Sequence, residues 1–220
     1  DLASATAKKL TSDKLNANLG NPVNWYRDSK KVLVRLLPDN RPALLDDKKD
    51  LPTGPIVSTS DGKVSQNRTY QDLLKNPQDE TNFITITTSE LYSVDLNGNA
   101  TKYKNADTYV GSSFSPDGNY LLVTKMQKPF SYIVPYQRFP MVTTVYDLQG
   151  KEVKVVNETP LTEIMPKGFS STTNGKRSMY WHPNEASTLL FVQALDGGDQ
   201  AKKVEYRDEV FTWKAPFNEA

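Results

Sequence analysis

Three side chains in this 220-residue sequence have the types needed for hydrolytic chemistry: Ser115, Asp117 and the single histidine, His182. A serine becomes a nucleophile when an imidazole takes its proton and a carboxylate orients the imidazole. The local sequence argues against that use. Ser115 and Asp117 belong to Phe114-Ser115-Pro116-Asp117-Gly118, where Pro116 presets one backbone angle and Gly118 accepts another that costs other residues more. His182 follows Trp181 at a second turn, and no GxSxG nucleophile elbow occurs. With no cysteine, thiol nucleophiles and thiolate metal sites are excluded. HExxH, EF-hand and phosphate-loop patterns are absent, and Leu195–Gln200 (LDGGDQ) reads as a turn. The sequence therefore assigns no catalytic residue, no metal and no cofactor.

Binding chemistry has a better candidate in Lys128–Pro140 (KPFSYIVPYQRFP), an aromatic stretch whose three prolines disfavour a regular ladder. Phe130, Tyr132, Tyr136 and Phe139 either pack this segment onto a sheet or line a cleft with Arg138 directed at a carboxylate, a group its planar fork suits. The candidate contact residues are Arg138, Tyr132, Tyr136 and Arg68; Arg177 and Arg207 carry the same ambiguity. Asn67-Arg68-Thr69 and Asn157-Glu158-Thr159 match the short glycosylation pattern.

Bulk properties narrow the partners. The 27 lysines and arginines nearly balance 26 aspartates and glutamates, which argues against a nucleic-acid surface. No apolar run reaches the ~20 residues of a membrane helix, so no membrane insertion is expected. The chain opens at Asp1 within a polar stretch, and the expectation is that a leader or longer N-terminal part precedes it.

The elements that must position these groups are short strands. Trp25–Val34 (WYRDSKKVLV), Phe114–Val123 (FSPDGNYLLV) and Trp181–Val192 (WHPNEASTLLFV) each run from an aromatic through a polar turn into an apolar β-rich stretch. VDLNGNATKY and YDLQGKEVKV repeat a hairpin at a separation of 52 residues. The aromatic-turn units stand 89 and 67 residues apart, longer than the ~40–45 residues of ordinary blades. Insertions at about 39–81 and, on a smaller scale, around 127–140 and 157–178 account for the excess. Within the first, Arg68–Leu74 is expected to make one or two helical turns; after it, regularity is expected to return with Phe83–Thr88 as a strand. Residues 1–24 read as a lead-in, either a short helix around Ser12–Leu19 or extended chain. Residues 25–220 read as an all-β fold: an incomplete β-propeller of roughly three to four antiparallel blades with long inter-strand insertions, and hence a piece of something longer.

Four strings are more specific than this grammar: RTYQDLLKNPQDE (Arg68–Glu80), SPDGNYLLV (Ser115–Val123), KPFSYIVPYQRFP and ALDGGD (Ala194–Asp199). They resemble the propeller part of the prolyl oligopeptidase family of serine peptidases, most of all its glutamyl endopeptidase-like branch, over roughly Trp25 to Trp213. The resemblance implies a propeller that caps a C-terminal α/β-hydrolase domain of the same parent chain and restricts access to peptides. That hydrolase domain carries the serine, aspartate and histidine, none of which this chain supplies, so the chain alone is expected to be inactive. The resemblance also implies a peptide substrate and favours a periplasmic or extracellular location. The competing class is a standalone propeller that binds proteins or peptides. A sugar or phytate hydrolase would want convergent carboxylates or histidines, which the sequence lacks.

Overall fold

A computed structural model describes residues 3–11, 14–46 and 70–220. Two four-stranded sheets and one three-stranded sheet follow one another along the chain, all antiparallel, with one α-helix among the described residues. The first sheet has the order β1 (Val23–Trp25), β2 (Lys31–Leu36), β3 (Ser89–Asp95), β4 (Ala100–Asp107). The second is β5 (Tyr109–Phe114), β6 (Tyr120–Met126), β7 (Met141–Asp147), β8 (Glu152–Thr159). In the third, β10 (Thr188–Ala194) lies between β9 (Arg177–Trp181) and β11 (Asp208–Lys214).

Alternation of side chains explains the stacking. Leu33 on β2 and Leu121 and Val123 on β6 join Leu91, Tyr109, Phe114 and Tyr146 in one core between the first two sheets. Leu122, on the opposite face of β6, joins Val145 and Val156 in a second core with Trp181, Leu189, Phe191, Trp213 and Phe217 of the third sheet region. The middle sheet is thus buried on both faces, which is why β6 begins with the unbroken apolar run Tyr120–Val123. Arg35 continues the inward row of β2 and is 4 % exposed. Its guanidinium donates to the carbonyls of Tyr109 (2.8 Å), Leu19 (3.3 Å) and Asn21, so burial lowers its pKa without leaving its donors unpaired.

Apart from the one-residue β4–β5 link at Thr108, the connections divide by length between the two ends of the stack. Tight turns lie at one end, where Arg27 Nε donates to Ser115 O at 3.2 Å and joins the β1–β2 turn to the β5–β6 turn. The long β2–β3 and β6–β7 connections meet at the other end, in a cluster that includes Leu74, Phe83, Phe130, Phe139 and, from the β8–β9 connection, Leu161.

Two expectations in and just after the first insertion are overturned. Phe83–Thr88 is not a strand: α1 spans Pro77–Thr87. Asn76 caps it by accepting from Asp79 N at 2.8 Å, Pro77 occupies its first turn, and Asp79 and Glu80 face the positive end of its dipole. This start signal and the packing of Phe83 outweigh the β-preference of the Ile-Thr-Ile-Thr run. Residues 70–74 form no helical turn, and the rest of that expected element lies outside the described residues. In the lead-in, Lys14–Leu19 contains no helix; Leu15 makes an isolated antiparallel bridge to Leu36.

Candidate functional site

The end with long connections carries the candidate site. The segment Gln127–Pro140 leaves β6 and returns as β7, and its middle tightens into a 3-10 turn at Tyr136–Arg138. Phe130 and Phe139 stack with centroids 4.9 Å apart, and Phe83 from α1 meets both edge-on at 5.5 and 6.1 Å. These rings anchor the loop, so Phe130 and Phe139 serve packing. Polar ties fix its rim: Lys128 Nζ lies 2.8 Å from Glu80, and Tyr132 Oη donates to Glu80 at 3.2 Å. Ser131 Oγ donates to Glu163 at 2.7 Å. Burial and then the Glu80 carboxylate raise the Tyr132 pKa, so the phenol stays neutral at physiological pH.

A cleft of about 630 Å³ opens beside this rim, lined by Tyr70, Lys75, Phe130, Tyr132, Ile133 and Glu163 among others. Tyr132 is thus an exposed wall of the cleft, while Tyr136 is half-buried and lines a neighbouring cavity of about 230 Å³. The Arg138 guanidinium lies 5.4 Å from the centroid of the Tyr70 ring and makes no ion pair or side-chain hydrogen bond among the described residues. Its backbone is held on both sides, donating to Pro135 O at 2.9 Å and accepting from Thr162 N at 3.0 Å. The structure therefore gathers Arg138, Tyr132 and Tyr136 on one anchored loop. Arg68 lies outside the described residues. Tyr70 and Glu163, which face the same cleft, were missed because nothing in the sequence joins residues 70, 132 and 163.

The other two groups have local roles. Ser115 is fully buried, with its hydroxyl bonded to Asp117 at 2.6 Å and accepting from Tyr120 N at 3.0 Å. His182 Nδ1 accepts from Asn184 N at 3.2 Å within its own turn. Arg177 and Arg207 pair with Asp208 and Asp196. Among the described residues no group of three or more metal-ligating side chains converges.

No family model matches the chain. It is 36 % identical over 196 residues to a rice protein named probable glutamyl endopeptidase, chloroplastic, a match covering 88 % of this chain and 21 % of the relative. An Arabidopsis thaliana protein of the same name is 35 % identical over 190 residues, covering 86 % of this chain and 20 % of the relative. The chain spans about a fifth of the length of these relatives. Identity at that level over 86–88 % of this chain makes it homologous to a region of plant proteins named as endopeptidases.

Proposed function

We propose that this chain is the non-catalytic propeller region of a serine peptidase, and that it restricts and orients peptide substrates for an α/β-hydrolase domain elsewhere in the parent protein. The observation that carries the reading is the 35–36 % identity to the two plant proteins named glutamyl endopeptidase. Three sequential up-and-down sheets stacked face to face support the reading of each sheet as a blade. The crowding of long connections at one end supports an entrance or domain-facing side there.

On this reading Arg138 recognises an acidic side chain of the peptide. A guanidinium set over an aromatic face and without a carboxylate partner among the described residues is suited to a substrate carboxylate. Tyr132 and Tyr136 flank it on the same loop and supply apolar surface with a polar tip. No bond is made or broken by these residues; the serine chemistry belongs to the hydrolase domain.

The test uses the parent protein and a pair of fluorogenic peptides that differ in one glutamate or glutamine. Arg138→Ala should raise KM for the glutamate peptide ~10-fold, the loss of one charge-assisted contact, and leave the glutamine peptide unchanged. Equal effects on both peptides would remove Arg138 from substrate recognition. A parent protein with no serine-inhibitor-sensitive peptidase activity would overturn the reading as a whole.

A further inference from the structure

A second cleft, of about 500 Å³, adjoins the one beside the aromatic loop, and the β8–β9 connection forms both of its walls. Leu161, Ile164, Met165 and Pro166 line one side and residues 172–176 the other. We infer that this cleft is a subsite for an apolar side chain of an extended peptide, one or two residues away from the acidic residue that Arg138 faces. The assignment rests on the reading of the long-connection end as the peptide-binding side.

The two clefts share a wall. Glu163 lines both, and its carboxylate accepts from Ser131 Oγ of the first cleft at 2.7 Å. Thr162 of the second cleft donates its amide to Arg138 O at 3.0 Å, so this wall is bonded to the backbone that carries the guanidinium. An extended chain advances roughly 3.3 Å per residue. A peptide passing Arg138 therefore crosses the Glu163 ridge within one or two positions.

The far wall is fixed as firmly as the near one. Thr172 N donates to Gly198 O at 3.0 Å, and a Cβ at Gly198 would stand 2.1 Å from Thr172 O, so only glycine allows this approach. At the other end of the wall, Asn157 Nδ2 of β8 donates to Lys176 O at 3.1 Å. The cleft is thus held open by the turn after β10 and by the second sheet. A preformed cleft spares a ligand the cost of ordering its walls.

The lining selects the occupant. Ile164 is 70 % exposed, and Met165 beside it is half-buried, with a thioether that adapts to the shape of an apolar guest. Lys176, a cation in the lining, is already engaged: its Nζ donates to Val156 O at 3.0 Å and lies 4.2 Å from the centroid of the Trp213 ring. Glu158 and Glu163 also border the cleft and repel a second acidic side chain. Apolar surface ringed by carboxylates admits an aliphatic or aromatic side chain and disfavours an acidic one.

Fluorescence anisotropy of labelled short peptides on the parent protein tests this. The reference peptide is serine throughout except for one glutamate; the others carry a leucine or an aspartate one or two residues to either side of it. Binding is read on ice, with mass spectrometry confirming that the peptides stay intact. Leucine in at least one position should tighten binding ~10-fold over the reference, the effect of partly burying one aliphatic side chain, and aspartate there should give no gain. Ile164→Ser should abolish the leucine gain and Ile164→Leu should keep it; the site is mostly exposed, so the fold tolerates both. Equal affinities across the set, an equal gain from aspartate, a leucine gain that survives Ile164→Ser, or no binding at all would overturn the inference. Because the readout is binding, a parent that cleaves peptides but shows no leucine gain defeats only this inference. A leucine gain that depends on Ile164, on a protein without serine-inhibitor-sensitive activity, defeats only the functional reading.

Discussion

Ser187 donates a 2.6 Å hydrogen bond to the carboxylate of Asp117, 70 residues away in sequence, and so ties the turn before β10 to the turn between β5 and β6. The same carboxylate accepts from Ser115 Oγ at 2.6 Å and from Asn119 Nδ2 at 2.8 Å. A residue that serves its own turn also locks two sheets together. Ser187→Ala removes one of these donors and should lower unfolding stability by about 1 kcal/mol, read by denaturant titration. An unchanged midpoint would mean that solvent replaces this bond without loss.

Asp117 also sets an acid-side dependence. Burial acts to raise its pKa, but the bonds from Ser115, Ser187 and Asn119 together outweigh it and hold the carboxyl below its ordinary value. A depressed folded-state pKa contributes stability above the unfolded pKa of ~3.9, and that contribution is lost as pH falls through the folded value. Asp117→Asn should therefore cost stability at pH 6 and cost progressively less below about pH 4. A constant difference across that range would count against the assignment.

Burial raises the pKa of Tyr26, Tyr103 and Tyr109, and Tyr103 Oη donates to Asp147 O at 2.6 Å across the first two sheets. A pKa raised on folding contributes stability that is present below the unfolded pKa of ~10 and is lost as pH rises through the folded one. Ultraviolet titration should show a fraction of the 11 tyrosines ionising late, together with the loss of native structure. Tyr103→Phe should leave fewer late-titrating groups. Simple titration of all tyrosines near pH ~10 in the folded protein would contradict this.

Phe217 is fully buried, 5.5 Å from the Tyr120 ring and 6.1 Å from Trp181. It therefore fills the junction of the second and third sheets. Phe217→Ala should cost about 3–5 kcal/mol, whereas Phe169→Ala, at a side chain 97 % exposed, should change stability by less than about 0.5 kcal/mol. Thermal unfolding of the two variants side by side checks the contrast.

Gly118 has φ +74°, and a Cβ there would stand 2.9 Å from Arg27 Cβ. Gly118→Ala should destabilise by roughly 1–2 kcal/mol from the left-handed backbone, with a further cost from displacing Arg27. Restoring room with Arg27→Gly in the same chain should recover the second part and not the first. Full recovery would place the whole cost in the steric contact.

The tight turns and the strands that flank them were legible in the amino-acid order, because those depend on neighbours a few residues away. Pro116 and Gly118 shape one turn, and Asp95 and Asp147 each accept the amides two and four residues ahead. The continuous apolar run Val32–Val34 likewise marked an inner strand, and β2 is buried on both faces. Tertiary structure decided the rest. The Ile84–Thr87 run has β-branched chemistry at every position, yet the Asn76-Pro77 cap and the seat that Phe83 finds between Phe130 and Phe139 make it helix. Arg138 was recognisable as a cation in an aromatic segment; its place over Tyr70 depends on connections meeting at one end of the stack. Local chemistry is written within a few residues, but a cleft shared by residues 70, 132 and 163 exists only after the sheets have stacked.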